Sequence, residues 1–184
     1  TEIKKYLDER TPEKLLQFSS QKIEEIDQKI RELNLAKHLL NETIAFTNKG
    51  LHANYEEIAI EEQEEECLIQ SELLTEENTK DYIGWIWEFN NFENRTLSEE
   101  TSFVSTMLSI ENITKGNYYN HSYFFVKTKD KSLSNAVKPK GSYVVAYHHG
   151  SLDTIGETYD RLTNYCDQNR LQMSEFSYEE SLLD

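Results

Sequence analysis

Cysteine is nearly absent. Cys67 and Cys166 are the only two in 184 residues, far apart and without the spacing of a metal clip or redox pair, which excludes a disulfide-stapled scaffold and suits a reduced, cytoplasmic setting. Glycine is scarce too: Gly50, Gly84, Gly116, Gly141, Gly150 and Gly156 never cluster as a phosphate-cradling loop requires, so nucleotide chemistry is not expected. Ser142 and Ser151 each follow a glycine but lack the second glycine of a serine-nucleophile elbow. Cations are outnumbered, 19 Lys and Arg against 34 Asp and Glu for a net charge of -15, so this chain should not bind nucleic acid by itself. No apolar run approaches the roughly 18 residues of a membrane span, and no basic, apolar, small-residue leader opens the chain. Neither a membrane nor an export route is expected. The pair His148-His149 does not read as a metal site, because neighbours in a strand point to opposite faces. No metal and no cofactor is expected.

What is present begins with a helix. The first fifty residues hold one proline, Pro12, suited to a first helical turn after Thr11 as N-cap. From Ile23 the apolar residues recur at alternating steps of three and four: Ile23, Ile26, Ile30, Leu33, then Leu40 and Ile44, with Lys37 in the one polar slot and charges on both flanks. This is a heptad seam. At 1.5 Å per residue such a helix extends roughly 50 Å, more than a small domain can cover. Pairing with a second copy through residues 11–46 is the favoured outcome, packing on its own domain the alternative. Glu2 to Arg10 reads as the tail of a preceding helix, broken at Thr11-Pro12.

After Gly50 the pattern changes, so residues 1–50 divide from a domain over 51–184. An acidic stretch, Glu56 to Glu66, leads to a strand at Cys67 to Leu74, a helix capped by Thr75 and running to about Asn94, and strands at Thr101 to Ile110 and Tyr118 to Lys127 around a turn at Thr114 to Asn117. After a polar loop the order restarts: a strand from Tyr143 to Gly150, a helix capped by Ser151, and a strand from Glu175 to Leu183. An offset of 76 places Thr75 on Ser151, Ile86 on Leu162 and Phe89 on Tyr165. The predicted fold class is α+β, a long helix followed by a pseudo-twofold, duplicated strand-helix-strand-strand domain with an antiparallel sheet. Its repeats cover about 56–128 and 141–184, the second one strand short.

Eleven tyrosines are many for a chain of this size. Trp85 and Trp87 lie about 200° apart around their helix, so at least one should face a surface or cavity. Tyr119, Tyr123 and Phe125 share one strand face by alternation, as do Tyr143, Val145 and Tyr147, and Tyr159 follows on the next helix. Such rings can simply fill a core. Their hydroxyls, however, need partners, which a ligand pocket supplies more readily than a dry interior. Glu179 alternates with Tyr178 and Glu180; if its side faces inward, a carboxylate stands among rings, a site selective for lipophilic cations, whereas the default for a strand glutamate is solvent.

The run Ile3 to Pro12 with the following heptads resembles the junction and dimerisation helix of MerR-family transcription regulators. Gly141-Ser142-Tyr143-Val144-Val145-Ala146-Tyr147-His148-His149-Gly150, then a helix, then Tyr178-Glu179, resembles the gyrase-inhibitor-like effector-binding domain of that family's multidrug-sensing branch. The resemblance implies a cytoplasmic homodimer with antiparallel dimerisation helices, a transcription activator that meets promoter DNA and RNA polymerase only through N-terminal heads absent from this chain. It further implies a small, lipophilic, cationic effector facing Glu179, and the rings singled out by alternation and helix position, Tyr123, Phe125, Tyr143, Tyr147, Tyr159 and Trp85, are the candidate pocket walls. Ser181 departs from the family, which carries an apolar or aromatic residue there, and the closing strand is missing. Some relatives of this fold hydrolyse small electrophiles with a tyrosine and the same glutamate. The long helix favours a sensor over such an enzyme, so no catalytic residue is assigned. A platform for protein contacts, with a filled interior, is the third reading.

Overall fold

The computed structural model describes residues 11–75, 82–98 and 100–182. The segment that Thr75 is expected to cap, residues 76–81, lies outside them, as do the helix tail expected over residues 2–10 and the last two positions of the chain.

Helix α1, Pro12–Leu51, is 40 residues long. Thr11 caps it as expected, its hydroxyl accepting the Lys14 amide at 3.3 Å. Every seam residue from Ile23 to Ile44 is at least half exposed, Ile30 least at 50% and Leu33 most at 70%. Side chains one turn apart bind each other along the flanks, as in the Lys22 to Glu25 ion pair at 2.6 Å. Gly50 does not end the helix: it is buried in the last turn, where its carbonyl accepts the Tyr55 hydroxyl at 2.8 Å. The chain forms two compact units, Thr1–Asn41 and Glu42–Asp184.

The second unit is antiparallel α+β. Strands β1 (Ile58–Gln63) and β6 (Gly141–Ala146) form a two-stranded sheet. Strands β2 (Glu66–Gln70), β3 (Ser105–Ser109), β4 (Tyr123–Lys127), β5 (Ala136–Lys138) and β7 (Phe176–Glu179) form a second, ordered β5-β2-β4-β3-β7. Helix α2 (Tyr82–Thr96) lies between β2 and β3 in sequence, and α4 (Ile155–Asn169) between β6 and β7, which reproduces the expected repeat order. Ser151 caps a 3-10 turn, Leu152–Thr154, its hydroxyl accepting the Asp153 amide at 3.3 Å, and α4 itself follows with Thr154 at its N-cap and no side-chain cap.

Several expectations need correction. The acidic stretch before Cys67 holds β1, whose glutamates point to solvent from a two-stranded ribbon and so hide its strand character. The polar loop before Gly141 holds β5. The turn expected over Thr114 to Asn117 is present at Lys115 and Gly116, the latter with φ of 74°, but a short helix α3 (Ile110–Thr114), capped by Ser109, leads into it. Strand β4 starts only at Tyr123, so Tyr119 does not share its alternation; the Tyr119 hydroxyl binds the Asp153 carbonyl at 2.9 Å. Strand β6 stops at Ala146, and His148 lies beyond it, held by Thr158 at 2.9 Å and the Ser151 carbonyl at 3.0 Å.

Register sorts the five-stranded sheet into two faces. Thr106 pairs with Phe124 on one side and with Glu179 on the other, so these three share a face with Leu108, Val126 and Ser177. Both helices cover it: α2 packs Trp85, Phe89 and Phe92 on Phe124 and Val126, and α4 packs Tyr159 and Leu162 around Leu108. The opposite face carries Leu68, Met107, Tyr123, Phe125, Phe176 and Tyr178.

Candidate functional site

Strand alternation puts Glu179 on the helix-covered face, and three donors converge on its carboxylate. Oε2 lies 2.9 Å from the Thr106 hydroxyl and 2.9 Å from His121 Nε2, while Oε1 accepts the Tyr159 hydroxyl. Tyr159 also reaches Ser177 Oγ at 3.3 Å, and its ring stacks on Tyr118 at 5.3 Å with planes 3° apart. That stack depends on Gly156, since a Cβ there would come within 2.9 Å of the Tyr118 ring. Trp85 stands 6.5 Å from His121, between rings, in contact with Phe89 and Phe124.

Burial by itself would raise the Glu179 pKa, but the hydrogen bond and charge of His121 and the hydrogen bonds from Tyr159 and Thr106 outweigh it, holding the carboxyl below the usual range. Burial and the neighbouring carboxylate push the Tyr159 phenol far above its ordinary value, so it is a neutral donor. The Glu179 side chain remains 25% exposed. A carboxylate kept ionised, reachable from solvent and bonded to a tyrosine beside a tryptophan-flanked histidine can attract a lipophilic cation.

The next residue faces the other way. Glu180 binds Lys127 at 2.7 Å and lies 3.9 Å from Lys138, while Glu66 takes the same two ammonium groups at 3.1 and 3.4 Å. Lys138 is only 4% exposed, and its Nζ lies 4.9 Å from the Tyr143 ring centroid and 5.2 Å from that of Tyr178. An aromatic cage with two acids is thus already filled by the chain's own cation. Burial tends to raise the Glu180 pKa, and the two lysines, with Lys49, bring it below the ordinary value.

Of the predicted site residues, the fold brings Glu179, Tyr159 and Trp85 to one face. Tyr123 and Phe125 lie on the opposite face, with Tyr143 against Tyr178. Tyr147 lies near Glu180: burial first, then the charges of Glu61 and Glu180, raise its phenol pKa, and its ring is 6.5 Å from Tyr55 and 6.0 Å from Lys49 Nζ. Trp87 is 63% exposed, as one of the two tryptophans had to be. Sequence reasoning missed Thr106 and His121. Thr106 needs the β3-β7 register, which no local pattern encodes, and His121 has the parity of Tyr123, so alternation would send it to the wrong face; it precedes β4 and escapes that rule.

A family model described as the GyrI-like small molecule binding domain matches residues 54–184. The chain belongs to the GyrI-like family. Its GyrI-like domain therefore contains all seven strands and the Glu179 cluster. The chain is also similar, at 30% identity over 185 residues, to the multidrug-efflux transporter 2 regulator of Bacillus subtilis (strain 168), an alignment that takes in 100% of this chain and 67% of that protein. Among the described residues, no helix is long and apolar enough to cross a membrane.

Proposed function

We propose that this chain is the ligand-sensing and dimerising part of a MerR-family transcription activator of the cytoplasm, in which small lipophilic cations bind beside Glu179 and the change is relayed to an N-terminal DNA-binding head. The observation that carries the reading is the Glu179 carboxylate. It is held ionised by Thr106, Tyr159 and His121, is partly exposed, and among the described residues pairs with no lysine or arginine. A lipophilic cation brings the fixed charge that this cluster lacks, and Tyr159 and Trp85 offer it ring faces. The name of the Bacillus relative, a regulator of a multidrug-efflux transporter, agrees with such a ligand.

The seam of α1 supports a homodimer. Six aliphatic residues at heptad spacing, each at least half exposed, are costly to leave in water. In this reading residues 1–50 serve dimerisation, 51–184 sense the effector, and promoter DNA and RNA polymerase are met only through the head.

A hydrolase is the second reading, favoured by the direct Tyr159 to Glu179 contact, which joins the two residue types it requires. The raised phenol pKa argues against it, since the hydroxyl is neutral and already committed to the carboxylate. Calorimetric titration with tetraphenylphosphonium tests the sensor: Glu179→Gln should weaken binding by about tenfold or more, and equal affinity in both proteins would remove the carboxylate from ligand recognition. Catalytic turnover of small electrophiles, stopped by Glu179→Gln, would establish the enzyme instead.

A further inference from the structure

The imidazole beside Glu179 has one nitrogen engaged and one idle. Nε2 lies 2.9 Å from Glu179 Oε2, whereas Nδ1 is buried and has no hydrogen-bond partner among the described residues. In the neutral imidazole, a proton on Nε2 donates to the carboxylate and leaves Nδ1 as a bare acceptor shielded from water, a group that buried sites rarely tolerate unsatisfied. The carboxylate already accepts from Thr106, His121 and Tyr159, which uses three of its roughly four acceptor positions. One acceptor position on the acid and one on the histidine are therefore open within a single cluster.

We infer that His121 is a specificity-determining residue that selects organic cations bearing N–H groups, such as protonated amines or amino-substituted dyes, over fully alkylated cations of the same shape. This rests on the reading of Glu179 as the cation site and narrows the ligand class. A cation with N–H groups offers charge to Glu179 and a hydrogen to Nδ1. A permethylated cation offers charge alone and keeps Nδ1 orphaned, and sites built to hydrogen-bond a ligand group reject analogues that lack it.

The test compares a diaminoxanthylium dye carrying free NH2 groups with its N-permethylated counterpart by fluorescence anisotropy on the intact chain. Wild type should bind the NH2 dye about tenfold more tightly, equivalent to about 1.4 kcal/mol. In His121→Gln the side-chain amide can still donate to Glu179 from the Nε2 position but carries no atom at Nδ1. The preference should then fall to about one, whatever the change in overall affinity. His121→Asn, which places a polar atom near Nδ1 and gives up the Glu179 bond, should weaken both dyes while keeping the preference. Equal affinities in wild type, or an undiminished preference in His121→Gln folded to the wild-type thermal midpoint, overturns the inference and leaves the Glu179 site standing. If neither dye binds, or both bind and Glu179→Gln changes neither, the cation site itself fails and the inference with it.

Discussion

Glu179 ends the edge strand β7 and Glu180 is the residue just after it, yet the two meet opposite surroundings. Glu179 faces the helices and is held by a threonine, a tyrosine and a histidine. Glu180 faces the other side and is paired with two lysines, one of them enclosed by Tyr143 and Tyr178. Both acids stay ionised, by different means. Hydrogen-bond donors stabilise a charge without cancelling it, so the field of Glu179 remains available to a ligand; fixed ammonium groups cancel it and would repel an incoming cation. Counting acids and rings cannot separate the two cases. Only the parity of the strand and the identity of the partners do.

The largest effects expected on this comparison are at the centre of the sheet. Phe124 and Phe125 are both fully buried and belong to opposite faces. Phe125→Ala and Phe124→Ala should each cost about 3–5 kcal/mol in urea denaturation. Only Phe124→Ala should also disturb ligand binding, because Phe124 supports Trp85. Similar binding losses from both would mean that the two faces do not act separately.

Lys138→Ala comes next. It leaves Glu66 and Glu180 sharing Lys127 alone, at an expected cost of about 2–3 kcal/mol, while tetraphenylphosphonium affinity stays within about twofold. Acid unfolding probes the same acids. Both glutamates titrate below their ordinary value of about 4.3, so the stability they add is complete above that pH and is lost as pH falls through the depressed folded-state values. Glu180→Gln and Glu179→Gln should each flatten the fall in thermal midpoint below about pH 4.3, and an unchanged slope would show that neither charge is stabilised by folding.

The smallest effect is expected at Gly156. Gly156→Ala removes a glycine from the first turn of α4, a gain of less than about 1 kcal/mol, but pushes its methyl into Tyr118, so stability should change by less than about 1 kcal/mol. The Tyr118 to Tyr159 stack should shift, which near-ultraviolet circular dichroism can follow. An unaltered spectrum would mean that the close approach is not what seats Tyr159.

Much of the fold was legible because it rests on local rules. The α1 seam follows from heptad spacing, and α4 from its apolar turns just after the 3-10 turn that Ser151 caps. Strands β1 and β5 escaped because one is rich in exposed glutamate and the other is three residues long, too short for alternation to register. At the site, Glu179 stood out through its neighbours Tyr178 and Glu180, but which rings it meets depends on the pairing of β3 with β4 and β7, a long-range property. That pairing sends Tyr123 and Phe125 away from the acid and brings in Thr106, while His121 arrives from the loop before β4.

The most direct test compares neighbouring amides at the end of one strand. Titrating tetraphenylphosphonium into Glu179→Gln and Glu180→Gln should give a loss of about tenfold or more for the first and less than about twofold for the second. A larger loss in Glu180→Gln, with Glu179→Gln near wild type, would place the cation on the lysine-filled face and contradict the assignment.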